Sequence, residues 1–171
     1  MSAGEEALLI ERIRPLEFHD VRMRGVAAKR RVIRYGWKYS FESFRASEGS
    51  PMPEHLLPIR NRAAAVAGVP AGDLSEALVT EYSPGAAIGW HRDAPPFGIV
   101  IGISLLAPCR FRFRRGRTGA WERTEVHLEP RSLYVLNGPA RYEWQHSIPA
   151  VDALRYSITF RTMARPARGR E

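Results

Sequence analysis

The chain has 171 residues, 26 Lys+Arg against 18 Asp+Glu for a formal charge of +8, and 44% hydrophobic content. That is the size of one domain with a core of its own; the composition excludes a disordered chain, and no apolar run nears the ~18 residues of a membrane span. A single cysteine, Cys109, excludes a disulfide framework and a Cys-rich zinc site, and the acidic N-terminus lacks the apolar stretch of a secretory leader, so a cytoplasmic monomer is expected.

Residues 5–16 read as a helix: Leu8, Leu9, Ile13 and Leu16 recur near a 3.6 period, with Glu5 and Glu6 in the first turn. Residues 18–45 read as extended, with Val32, Ile33, Tyr35, Trp37, Tyr39 and Phe41 favouring strand. A proline-rich turn precedes a second helix over about residues 54–68, ended by Gly68-Val69-Pro70. From residue 74 onward short strands alternate with Gly/Pro turns, the pattern of an antiparallel sandwich or barrel. The two helices are expected to pack against one of its sheets. The fold expected is therefore mainly β with flanking helices, one domain over residues 1–163 and a basic tail over 164–171.

Positive charge is unevenly spread. Residues 21–45 hold eight cations (Arg22, Arg24, Lys29, Arg30, Arg31, Arg34, Lys38 and Arg45) against Glu42, and residues 110–117 hold five arginines and no acid. Such stretches attract a polyanion such as nucleic acid, although a charge run is as commonly a solvated face. Arg112, Arg114, Arg115 and Arg117 form either a phosphate-contacting ridge or plain solvated strand residues, with Phe111 and Phe113 turned to the core.

His91 and Asp93 are one residue apart, so on a strand both face one side, with Trp90 and Arg92 facing away. His146 is the best candidate for a third ligand, and two histidines with one carboxylate form the facial triad of non-haem Fe(II) oxygenases, which leaves coordination positions open. An isolated His-x-Asp pattern is more often a structural hydrogen bond. His19 and His55 lie outside the strand-rich region, and His127 reads as a surface or packing residue. The segment 155–161 alternates strictly: Arg155, Ser157, Thr159 and Arg161 share one face, and Tyr156, Ile158 and Phe160 the other. Two buried arginines need anionic partners. A dicarboxylate supplies two, as do structural salt bridges; the alternative is that this is an outward polar face.

Taken together, Tyr82-Ser83-Pro84-Gly85, His91-Arg92-Asp93, Arg110-Phe111-Arg112-Phe113, His146 and the 155–161 strand resemble the AlkB family of Fe(II)- and 2-oxoglutarate-dependent dioxygenases in order and spacing. The resemblance implies a double-stranded β-helix (jelly-roll) core and Fe(II) held by His91, Asp93 and His146. It implies O2 as co-substrate and the carboxylates of 2-oxoglutarate on Arg155 and Arg161, with Tyr82, Thr80 and Ser157 alongside. The implied activity is oxidative dealkylation of N-alkylated bases in alkylated DNA or RNA, the hydroxylated carbon leaving as an aldehyde. Residues 18–45 then resemble the family's nucleotide-recognition lid. Trp37 and Tyr39 stack on a flipped base and Arg30, Arg31 and Lys38 meet phosphates, or the two aromatics simply cover the sheet. Thr80 and Ser157 stand where the best-known members have Asn, and Pro95 where some use an acid in base recognition, so substrate specificity is not carried over. Arg141 supports the metal site or lies on a surface turn. The alternatives are a 2-oxoglutarate oxygenase acting on a protein or small molecule, and a non-catalytic nucleic-acid-binding module on this fold.

Overall fold

The computed structural model describes the backbone of residues 1–23, 26–40 and 45–164, and their side chains except at 22, 23, 26, 27, 38–40, 45, 46 and 48. The tail expected over 164–171 lies outside the described residues beyond Ala164. Helix α1 (Ala3–Ile13) begins at Ser2, whose hydroxyl accepts from the Glu5 amide while the Glu5 carboxylate accepts from the Ser2 amide. It ends earlier than its apolar period suggests, just ahead of Pro15, which has no amide hydrogen to extend it. A 3-10 turn (Glu54–Leu56) leads into α2 (Leu57–Ala67), closed by Gly68 in the left-handed conformation.

The strands in chain order are β1 (His19–Met23), β2 (Val26–Ser40), β3 (Arg45–Glu48), β4 (Leu74–Tyr82), β5 (Ile88–His91), β6 (Phe97–Leu105), β7 (Cys109–Arg117), β8 (Ala120–Leu128), β9 (Leu133–Leu136), β10 (Gln145–Ile148) and β11 (Arg155–Met163), with the short helix α3 (Gly138–Tyr142) before β10. They form two antiparallel sheets: β1-β2-β4-β11-β6-β9, with β3 on β2, and β5-β10-β7-β8. This is the two-sheet jelly-roll arrangement expected.

The large sheet separates two environments because its strands alternate in register. On one face the rungs Ile33–Val79–Ile158–Ile103 and Tyr35–Ala77–Phe160–Ile101 run across β2, β4, β11 and β6. Apart from Ile33, these side chains form one core with Leu9, Ile10 and Ile13 of α1 and with Leu56, Ala63 and Ala64. The opposite face meets the small sheet over a second core that includes Tyr82, Val100, Cys109, Phe111 and Leu128. Cys109 is a buried free thiol there, the common fate of a lone cysteine. The site lies on this second face.

β2 changes partner along its length. Arg30 to Gly36 pair with β4, and Trp37 to Ser40 pair with β3. Gly36 is the joint. Its φ is +75°, and a Cβ there would sit inside the van der Waals radius of the Ser75 carbonyl oxygen. A side chain at this position must both adopt the left-handed conformation and push β4 away. Gly36→Ala should therefore destabilise the protein by at least about 2 kcal/mol, since such strain alone costs about 1–3 kcal/mol. Gly72→Ala, where no atom lies within 4 Å, should stay within about 0.5 kcal/mol of the parent. Thermal or urea denaturation of the two variants measures both.

Candidate functional site

A cavity of about 730 Å³ lies between the two sheets. Its floor is the polar face of the large sheet, whose rungs run Arg30–Tyr82–Arg155, Val32–Thr80–Ser157, Arg34–Leu78–Thr159 and Gly36–Glu76–Arg161 across β2, β4 and β11. The facing wall comes from the small sheet, where His91 of β5 pairs with His146 of β10. Tyr134 of β9 closes one side, its ring lying where a side chain on Gly102 of β6 would stand.

His91, Asp93 and His146 meet at this cavity. The imidazole centroids of His91 and His146 are 4.3 Å apart, and His146 Nε2 is 3.6 Å from Asp93 Oδ2. β5 ends at His91, so Asp93 sits just past the strand; its orientation comes from Arg161, whose Nε and Nη2 donate to Asp93 Oδ1 at 2.8 and 2.6 Å. The β5–β10 pairing is irregular between His91 and Ile88. There His91 Nδ1–H donates to the Gly89 carbonyl at 2.9 Å, which fixes the tautomer and leaves the Nε2 lone pair free, the usual state of a metal-binding histidine. Among the described residues no group of three His, Cys, Asp or Glu side chains is drawn together closely enough to mark a metal site by distance. The fit to a divalent metal rests on the donor chemistry: two imidazoles and one carboxylate lining one cavity.

The titration behaviour follows from burial. Desolvation, with help from His91, pushes His146 down to about 3, and desolvation lowers His91 as well. Burial alone would raise Asp93, yet Arg161 and the two imidazoles hold it at about 2. Both histidines are thus neutral and the carboxylate ionised at ordinary pH, the state a metal requires.

The two arginines of β11 differ. Arg155 is 1% exposed and lies over the Tyr82 ring at 4.8 Å. Its Nη2 donates to Ser104 Oγ at 3.1 Å, and its Nε and Nη1 are buried without a partner. A guanidinium in that state fits a carboxylate ligand, and Thr80, Tyr82, Tyr134 and Ser157 line the same space. Arg161 already spans two carboxylates: besides Asp93 it donates through Nη1 to Glu76 Oε2 at 2.7 Å. Burial opposes its charge, but Asp93 and Glu76 raise its pKa above the ordinary value.

Several of these residues escape a reading of the sequence. Glu76 is fully buried directly opposite Arg161; its Oε1 has no hydrogen-bond partner, and Arg34 Nη1 lies 3.7 Å from it. Arg34 and Arg30 line the cavity, whereas Arg31 points to the other face and pairs with Glu81 at 2.6 Å. Neighbouring residues on a strand face opposite sides, so Arg30 shares its face with Arg34 and not with Arg31. Trp37 lies opposite Glu48 beyond Gly36 and does not line the cavity. Lys38 and Tyr39 lie on the same stretch of β2, and their side chains are outside the described residues. Arg141 is buried and donates to the carbonyls of Ala94, Phe97 and Gly98 at 2.9, 2.6 and 2.8 Å. It ties the loop after Asp93 to the helix before His146. His127 is exposed and paired with Glu129.

Residues 11–161 match the family described as the 2OG-Fe(II) oxygenase superfamily. The chain is 26% identical over 164 residues to an alkylated DNA repair protein ALKBH8 homolog of Arabidopsis thaliana, covering 81% of this chain and 47% of that protein. It is 35% identical over 125 residues to the alpha-ketoglutarate-dependent dioxygenase alkB homolog 7, mitochondrial, of Bos taurus, covering 70% of this chain and 56% of that protein. It is 32% identical over 99 residues to an uncharacterized protein, L905, of Acanthamoeba polyphaga mimivirus. The chain spans about half the length of these curated relatives.

Two outcomes are expected of this site. Glu76→Ala strips one carboxylate from a buried guanidinium and should cost about 3–5 kcal/mol of stability. It should also weaken Mn(II) binding by about 10–100-fold by loosening Asp93, measured by denaturation and by metal titration. In the metal-free protein, His146 binds a proton near 6.5 when unfolded but only near 3 when folded. The unfolded state therefore takes up more protons, and stability falls as pH drops below about 6.5. Asp93, depressed from 3.8 to about 2, acts the same way only below about pH 4. Denaturation between pH 7 and 4.5 should show a shallower fall for His146→Gln than for the parent.

Proposed function

This chain belongs to the 2OG-Fe(II) oxygenase superfamily and is AlkB-like, and from that premise we propose that it oxidatively dealkylates N-alkylated bases of DNA or RNA. Members of the superfamily use Fe(II), 2-oxoglutarate and O2. The observation that carries the reading is one cavity. It holds a buried guanidinium with two unmatched nitrogens, Arg155, and the His91, Asp93 and His146 donor set, with the cations Arg30 and Arg34 on the β2 part of its floor. Its volume falls in the ~300–1,000 Å³ range of small-molecule sites, room for a cofactor and a base.

His91, Asp93 and His146 hold the metal, and three protein ligands leave positions for a co-substrate. Arg155 binds a carboxylate of 2-oxoglutarate, with the hydroxyls of Thr80, Tyr82 and Ser157 beside it. Arg161 keeps Asp93 in place, and its charge on the same cavity floor would favour the cofactor's other carboxylate. When bound, iron, 2-oxoglutarate and O2 together supply the oxidation of the substrate's N-alkyl carbon. The apolar wall of Val100, Phe111 and Ile148 limits water around the reacting carbon.

The name of the Arabidopsis relative speaks of alkylated DNA repair, and the cation-rich β2 wall suits a phosphate-bearing substrate. Arg30 meets phosphate at the cavity, and the β2–β3 stretch with Trp37, Lys38 and Tyr39 takes part in holding the nucleotide. Purified protein should release succinate and repair methylated oligonucleotides only with Fe(II) and 2-oxoglutarate present, and His91→Ala, Asp93→Ala or His146→Ala should each abolish both iron binding and repair. Trp37→Ala/Tyr39→Ala should lower repair at least about tenfold while 2-oxoglutarate consumption continues. Mass spectrometry of a panel of methylated and etheno-modified DNA and RNA reads repair. Consumption of 2-oxoglutarate with no repair across that panel would instead indicate a protein or small-molecule substrate.

A further inference from the structure

The outward face of the small sheet carries a stack of indoles and guanidiniums that the cavity does not use. Residues 110, 112 and 114 of β7 face out because Phe111 is buried in the core beneath. The Arg112 guanidinium lies 5.1 Å from the Trp90 ring, and Arg114 lies between two indoles, 4.6 Å from Trp90 and 4.3 Å from Trp121. Each is also fixed through its Nε: Arg112 to Ser147 Oγ at 3.1 Å, and Arg114 to Gln145 Oε1 at 2.8 Å, both on β10.

These two arginines differ from their neighbours. Arg110 is paired with Glu125, and Arg115 with Glu122 and Glu143. Arg112 and Arg114 are in no salt bridge among the described residues: Glu125, across the sheet from Arg112, bonds to Arg110 and feels Arg112 only at longer range, and Arg114 stands opposite another cation, Arg123. Two oriented guanidiniums outside any salt bridge, laid over aromatic planes, form an anion site with stacking surface around it. The position matters as well. Trp90 precedes His91 on β5 and is itself among the residues lining the cavity, so the stack begins beside the cavity.

We propose that this outer face of the β5-β10-β7-β8 sheet is a second contact for single-stranded nucleic acid, taking the backbone that leaves the cavity mouth. The inference rests on the nucleic-acid reading above and adds a binding surface to it. Arg112 and Arg114 hold successive phosphates, while the ring planes of Trp90 and Trp121 offer stacking surface to unpaired bases. Interleaved aromatics and unpaired arginines favour a single strand over an acidic protein segment, which needs no stacking planes.

The test is the salt dependence of binding to a fluorescent single strand of about 12 nucleotides, followed by anisotropy. Each phosphate contact contributes about 0.7 to the slope of log K against log salt for single strands. Arg112→Ala/Arg114→Ala should reduce that slope by about 1.4 and weaken binding at least about tenfold. Arg112→Lys/Arg114→Lys keeps the charges and should recover the slope, with melting curves confirming that every variant is folded. Arg110→Ala/Arg115→Ala, which removes only ion-paired arginines, should change neither slope nor affinity. An equal loss from both pairs shows a diffuse basic surface and overturns the proposal, as does an unchanged slope in the Arg112/Arg114 variant. Tighter, Arg112/Arg114-dependent binding of an acidic peptide than of the oligonucleotide also overturns it, in favour of a protein partner. If the parent repairs oligonucleotides but the variants bind them normally, only this surface falls. If the parent neither binds nor repairs any oligonucleotide, the nucleic-acid reading falls with it.

Discussion

Arg161 is held between two buried carboxylates, Glu76 on β4 and Asp93 beyond β5. Water barely reaches the group, so its charge is tolerable only because both partners make short hydrogen bonds to it. That chain of three joins the two sheets: Glu76 and Arg161 are cross-strand neighbours in the large one, and Asp93 follows the edge strand of the small one. The distance between the sheets, the direction of the Asp93 carboxylate and the width of the cavity all depend on it. Arg141 works to the same end from the other side, gathering three carbonyls of the segment after Asp93.

The difference between Arg155 and Arg161 gives the site an internal order. Arg161 is satisfied within the protein, whereas Arg155 keeps two donors buried and unmatched. Leaving buried donors unmatched costs about 1–3 kcal/mol, which a carboxylate ligand recovers on binding. The stability lost at Arg155 is therefore affinity held in reserve. The histidines follow the same logic, since a neutral imidazole, with its tautomer fixed in the case of His91, is ready to act as a ligand without first losing a proton.

Much of this could be read from the sequence, and the reasons are physical. Strict alternation over 155–161 placed Arg155, Ser157, Thr159 and Arg161 on one face, because a strand allows no other arrangement. The His91-x-Asp93 spacing and His146 brought three donors to one place, even though β5 stops before Asp93. What escaped was cross-strand register, which no single segment encodes. Nothing within the strand 74–82 says that Glu76 will lie opposite Arg161, because that follows only from the pairing of two strands about 85 residues apart. Arg31 is the reverse case: the alternation rule separates it from Arg30, and clustering of charge in the sequence obscured that rule. The pairing of Arg115 with Glu122 across the sheet, and the diagonal reach of Arg110 to Glu125 while Arg112, opposite that glutamate, bonds to Ser147 instead, depend likewise on how β7, β8 and β10 are brought together.

Gly36 has a consequence for how such a protein changes over time. Up to this residue β2 is bound into the sheet that carries the cavity floor, and after it the strand pairs only with β3. Substitutions or length changes in the stretch past the glycine do not disturb the rungs that carry Arg155 and Arg161. β2 is divided at one backbone position into a part bound into the cavity floor and a part paired outside it, so what flanks the cavity is mechanically separate from what lines it.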